Sequence, residues 1–133
     1  MNPIVETLKE RKLDFIAGKG ASEESVQQAE TEAGAVFAPD FRSCLLAFGI
    51  FAYDGHEFTG ISSTPRLSVV EVTKKQRALN SNIPNGWYVI EEANIDGIVI
   101  WQATDGSIYA TAFNAPPVKY ANNMMEFLQL AAL

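Results

Sequence analysis

The sequence predicts an α+β fold: N-terminal helices, a central helix, and an antiparallel β-meander closed by a C-terminal helix. Three observations lead there. Apolar residues recur at helical spacing over much of the first eighty positions. Alternating, strand-like runs then follow between Trp87 and Phe113, punctuated by Asp96-Gly97 and Asp105-Gly106. An Asp-Gly pair between such runs is the strongest short-range hairpin signal. Helical spacing returns from Ala121 to Leu133, with Met124, Met125, Leu128 and Ala132 on one side. A length of 133 residues fits one domain, spanning 1–133.

In chain order, Ile4, Val5 and Leu8 suggest a short first helix, ended by Gly18-Lys19-Gly20. Ser22 reads as an N-cap, with Glu23 and Glu24 in the first turn, where the helix dipole favours negative charge. Val26, Ala29 and Ala33 continue at helical spacing, and Gly34 is the stop. A third helix opens at Pro39 and carries the stripe Phe41, Cys44, Leu45 and Phe48 before Gly49. Ile50 to Ile61 reads as extended chain around Asp54-Gly55, a short hairpin. Ser68 and Glu71 form an S-x-x-E capping box for a helix over about 68–79. Pro84 and the Asn85-Gly86 pair break the chain into a loop. Three strands follow, Trp87–Glu92, Ile98–Thr104 and Ile108–Phe113, and Pro116-Pro117 ends the meander.

A two-residue turn at Asp105-Gly106 sets a register. Ala103 then faces Ile108, Trp101 faces Ala110 and Val99 faces Ala112, an apolar face suited to a helix-packed core. The opposite face carries Gln102 with Tyr109, Ile100 with Thr111 and Ile98 with Phe113. An even-length loop before the second strand adds Trp87, Val89 and Glu91 to that mixed face; an odd one sends them to the core side. A face of aromatic, amide and carboxylate groups suits partner contact, or cover by another helix, and periodicity alone does not separate the two.

Composition bounds the function. Ten basic residues stand against sixteen acidic ones, a net charge of −6. That balance argues against binding a nucleic-acid backbone and suits a soluble protein, or one whose partner is basic. The longest apolar run, Cys44 to Tyr53, is about half of what a membrane-spanning helix needs. Met1 to Lys12 holds no apolar stretch of signal-peptide length, which disfavours secretion. Cys44 is the only cysteine, so no internal disulfide forms, and its place on an apolar stripe makes it a structural thiol. The expected compartment is the cytoplasm.

Catalytic signals are weak. His56, the only histidine, sits in Asp54-Gly55-His56-Glu57 and is expected to be an exposed turn residue. A metal site there would need three converging ligands, which this run supplies only by folding back on itself. Gly18-Lys19-Gly20-Ala21-Ser22 lacks the spacing of a phosphate loop. Glu91 and Glu92 point to opposite faces of a strand and form no local dyad. The chain is read as a non-enzyme without cofactor or metal, the alternative being a hydrolase or metal enzyme centred on Asp54, His56 and Glu57.

One resemblance adds to this. Ala29-Glu30, then Ala33-Gly34-Ala35-Val36-Phe37-Ala38-Pro39-Asp40-Phe41-Arg42, then Leu45-Leu46-Ala47-Phe48-Gly49, resembles the start of the SUKH superfamily, which includes Syd-like and Knr-like proteins. Asp96-Gly97, the run Asp105 to Tyr109 and the closing Glu126-Phe127-Leu128 are similar too, so the resemblance spans about residues 22–130. Phe48-Gly49-Ile50 departs from the family's usual Asn-Gly-Gly, and Ala33 stands where leucine is usual, which puts the subfamily in question.

The resemblance implies helices around an antiparallel sheet and no enzymatic activity. For bacterial members it implies an immunity protein that binds and neutralises a cognate toxin domain, often a nuclease; fungal relatives are linked to cell-wall regulation. On this reading the contact candidates are Asp54 and Glu57 on the loop, and Trp87, Glu91, Gln102 and Tyr109 on the mixed sheet face. The acids would meet basic toxin residues and the two aromatic residues would anchor the interface.

Overall fold

Ile4, Val5 and Leu8 are all buried on the first helix, α1 (Pro3–Lys9), in a computed structural model that describes residues 3–10, 15–93, 97–112 and 115–131. The first helix ends at Lys9, well before Gly18. A short strand, β1 (Phe15–Ala17), comes between them and was not legible in the sequence.

The next two helices follow the sequence signals closely. Ser22 caps α2 (Glu23–Ala33) by accepting the Ser25 N–H, and Gly34 ends it in the left-handed conformation. Pro39 opens α3 (Pro39–Phe48), whose buried residues are the expected stripe Phe41, Cys44, Leu45 and Phe48. The chain then turns back through β2 (Phe51–Tyr53) and β3 (His56–Glu57). Asp54 and Gly55 both have positive φ, 49° and 82°, as a two-residue hairpin turn requires. The strands form an antiparallel sheet in the order β1-β2-β3.

Backbone packs directly on backbone beside this sheet. A Cβ on Gly60 would strike the Gly49 carbonyl oxygen, and a Cβ on Gly49 would strike the Lys19 carbonyl. Only glycine permits three chain segments to lie this close. Ser68 then caps α4 (Val69–Leu79) through the Glu71 N–H, as the capping signal predicts.

The second sheet has four antiparallel strands in sequence order: β4 (Tyr88–Glu92), β5 (Val99–Gln102), β6 (Ile108–Thr111) and β7 (Val118–Ala121). The meander therefore continues past Pro116-Pro117. Both prolines precede the first ladder residue, Val118, where a missing N–H breaks no pairing. The closing helix α5 (Met124–Ala131) consequently starts three residues later than expected, with Asn123 accepting the Glu126 N–H. The expected turn at Asp96-Gly97 lies partly outside the described residues, as does the Phe113 end of the third expected strand.

The expected β5–β6 register is wrong by one residue. Gln102, not Ala103, faces Ile108, and Trp101 faces Tyr109. Asp105 accepts the Ser107 N–H, the Ala103 N–H donates to Ser107 O and the Ala103 carbonyl accepts the Gly106 N–H, so the turn consumes residues 103–107. A one-residue slip exchanges the faces of one strand relative to its neighbour. Neither loop parity considered for β4 holds throughout, because a bulge falls between Val89 and Glu91 and moves Glu91 to the face opposite Val89. Thr59 answers both carbonyls at the irregularity, donating its N–H to Ile90 O at 2.9 Å and its hydroxyl to Val89 O at 2.7 Å.

Two apolar clusters result. The larger joins α1, α2, α3, the small sheet and α5 to the face bearing Tyr88, Ile90, Ile100 and Ile108. The smaller lies between α4 and the other face: Val72, Val89, Val99 and Trp101, with Ile83 and Trp87 beside them. Arg77 ties these layers together by donating to Ala33 O and Trp87 O.

Candidate partner-binding surface

The six residues singled out for partner contact do not share one surface. Gln102 and Glu91 are withdrawn from solvent, at 0% and 4% exposure, which corrects the expectation that both lie on an open sheet face. The register slip and the β4 bulge are the cause.

Gln102 is instead the centre of a buried polar network. The Tyr88 hydroxyl donates to its side-chain oxygen at 2.7 Å, and its amide donates to Asp40 Oδ1 at 3.0 Å and Gly106 O at 3.1 Å. Asp40 also accepts the Phe41 N–H at the start of α3 and the Met124 N–H at the start of α5. One carboxylate thus receives N–H groups from two helix starts, where the dipoles favour negative charge. The Tyr88 oxygen in turn accepts the Ala38 N–H, and burial raises its phenol pKa well above the ordinary value. A side chain bonded at every polar atom to its own fold has none left for a partner.

Glu91 meets His56 Nδ1 at 2.7 Å. The histidine is half-buried on β3, not an exposed turn residue, and its ring lies near Phe58 and Phe127. Burial raises the Glu91 pKa above 4.5, and the imidazole partly offsets this. Adjacent positions on β3 send His56 and Glu57 to opposite faces. Glu57 pairs outward with Arg66 at 3.0 Å. Among the described residues no group of three His, Cys, Asp or Glu side chains converges as a metal site. Cys44 is buried, and burial raises its thiol pKa far above the ordinary range, which disfavours the nucleophilic thiolate.

The remaining four candidates reach the surface in two places. Asp54 stands exposed at the tip of the β2–β3 hairpin with Glu57 on the strand after it. Trp87 and Tyr109 stack face to face on the other side of the large sheet, ring centroids 4.1 Å apart and planes 16° from parallel. Both rings are half-buried. Lys119 lies across from Tyr109 on β7.

Sequence reasoning missed two features. The double role of Asp40 depends on α5 arriving beside α3, which no local pattern announces. An open groove of about 470 Å³ also runs between α2 and the segment leading into α4, with Ser25, Gln28, Glu32, Ser62, Ser63 and Glu71 among its walls. Its acids come from elements far apart in sequence.

Among the described residues no helix is long and apolar enough to cross a membrane. A search of curated proteins returned no match. A family model described as SUKH_5, SMI1-KNR4 cell-wall, matches residues 1–131. The helix order, the antiparallel sheets and this near-complete match agree with the resemblance carried by residues 22–130, and the chain belongs to the SMI1-KNR4 (SUKH) family.

Proposed function

We propose that this chain is an immunity-type binding protein, which neutralises a cognate protein toxin in the cytoplasm by direct contact. Family membership over residues 1–131 carries the reading, since this family is often associated with immunity proteins. The electrostatics support it. Internal ion pairs engage Glu6, Glu23, Glu30, Glu57 and Glu92 and His56 meets Glu91, while Glu24, Glu32, Asp54 and Glu71 have no cation partner among the described residues. A surface of unanswered carboxylates raises the association rate of a basic partner such as a nuclease domain. The stacked Trp87 and Tyr109 supply a rigid aromatic anchor of the kind that dominates binding energy.

The test is calorimetric titration with the toxin domain encoded beside this chain's gene. Tight binding that weakens when Trp87 and Tyr109 are both replaced by alanine supports the reading. Unchanged affinity removes that face from the interface, and a neighbourhood without a toxin gene counts against the reading as a whole.

The family description also names the cell wall, which supports a second reading: a regulatory interaction module with a non-toxin partner. The neighbouring genes separate the two, because only the first requires a toxin with a variable C-terminal domain beside this gene.

A further inference from the structure

Asn85 and Gly86 make the turn that leads into β4, and Asn85 is exposed there. Gly86 has a φ of 91°, and a Cβ built on it would meet nothing within 4 Å. Among the described residues no hydrogen bond holds the Asn85 side-chain amide or the Gly86 N–H. Both residues border an open depression with Val36 and Thr104, so water reaches them. The backbone nitrogen after an asparagine attacks the side-chain amide carbon when three conditions hold: the amide is free to turn, the N–H is not engaged, and no side chain shields the approach. The other described asparagines each fail one of them. Asn80 donates its amide to the Gln76 carbonyl at 2.9 Å, and Asn122 donates to Glu126 at 3.1 Å. Asn123 is followed by Met124, whose N–H is held by Asp40. Asn82 is followed by Ile83, a β-branched residue that crowds its own nitrogen.

We infer that Asn85 is a site of spontaneous deamidation, which converts this turn to an aspartate or isoaspartate form without any enzyme. The Gly86 nitrogen bonds to Asn85 Cγ, the bond from Cγ to the amide nitrogen breaks, and ammonia leaves with the Gly86 proton. The product is a five-membered succinimide. Water then opens it at either carbonyl, giving aspartate or isoaspartate, and no electron donor or acceptor is needed. Either product adds one negative charge to a chain already at −6. The isoaspartate form also lengthens the main chain by one atom next to Trp87, whose ring stacks on Tyr109 and whose carbonyl is held by Arg77. This inference does not rest on the toxin reading.

Peptide mapping by mass spectrometry, after the purified chain has stood in warm, mildly alkaline buffer, tests it. One mass unit is gained at Asn85, at least about tenfold faster than at Asn80, Asn82, Asn122 or Asn123, and the product splits into aspartate and isoaspartate peaks. Asn85→Gln abolishes the gain, because its longer side chain closes the ring far more slowly. The same chain in urea reports whether the native turn is already permissive: the rate at Asn85 rises by less than about tenfold on unfolding. A native rate suppressed further than that overturns the inference, because the fold then protects the site. A gain spread evenly over the described asparagines overturns it equally.

Discussion

Replacing Gln102 by alanine separates a structural role from a contact role more sharply than any other single change. The side chain is fully buried and makes hydrogen bonds to Tyr88, Asp40 and Gly106. Truncation leaves the Tyr88 O–H and the Gly106 carbonyl without partners in a site that water does not reach. Each orphaned group costs about 1–3 kcal/mol. The vacated volume adds to this, because the surroundings only partly collapse. Together the change destabilises the fold by about 3–5 kcal/mol, a large share of the ~5–15 kcal/mol that a domain of this size has. Urea unfolding reads this directly: the midpoint falls by about 2 M, with little change in slope. Gln102→Met keeps most of the volume without restoring the hydrogen bonds, so its midpoint falls less. If Gln102→Ala unfolds at the wild-type midpoint, the buried network is not what joins α3, β4, β5 and α5.

Four further outcomes follow from the same geometry. Gly60→Ala destabilises by more than about 2 kcal/mol, since its Cβ meets the Gly49 carbonyl, whereas Gly55→Ala costs about 1 kcal/mol for its positive φ alone; parallel urea curves decide. Glu91 has a folded-state pKa raised by burial, so the stability tied to its neutral form is present at low pH and lost as pH rises through that value. Against Glu91→Gln, the wild type therefore loses relative stability as pH rises from the ordinary carboxylate range through that raised value, and a constant difference would contradict this. Cys44 reacts with a thiol reagent only at the rate of unfolding, because it is buried and held protonated; rapid labelling of the native protein would refute the placement. On the proposed immunity reading, Asp54→Lys at the hairpin tip slows association with a basic toxin domain by about tenfold at low salt and by less at high salt, measured by stopped flow.

The helices were legible because their signals are local. Ser22, Gly34, Pro39 and Ser68 each fix a helix end through groups within a few residues, and the structure places every one where the pattern does. The β2–β3 hairpin was legible for the same reason, since Asp54-Gly55 determines its own turn. Register was not. The Asp105 side chain takes the Ser107 N–H and lengthens the turn, and that one residue carried Gln102 from an expected open face into the core. The β4 bulge depends on Thr59, thirty residues away, and did the same for Glu91. The short strand β1 has too few residues to show a period and exists through its pairing with β2. Of the candidate contacts, Asp54, Glu57, Trp87 and Tyr109 keep surface exposure; the even-length loop set the last two on one face, and their direct stacking goes beyond it.

The most direct measurement is the stoichiometry of inhibition. On the proposed immunity reading, titrating this chain into a fixed amount of a toxin domain encoded beside its gene, while following toxin activity, abolishes activity at one chain per toxin. Activity returns when the two are separated, because nothing covalent has changed. Loss of toxin activity at a small fraction of an equivalent, or a toxin left permanently altered after separation, would mean that this chain acts by turnover and not by occupying a surface.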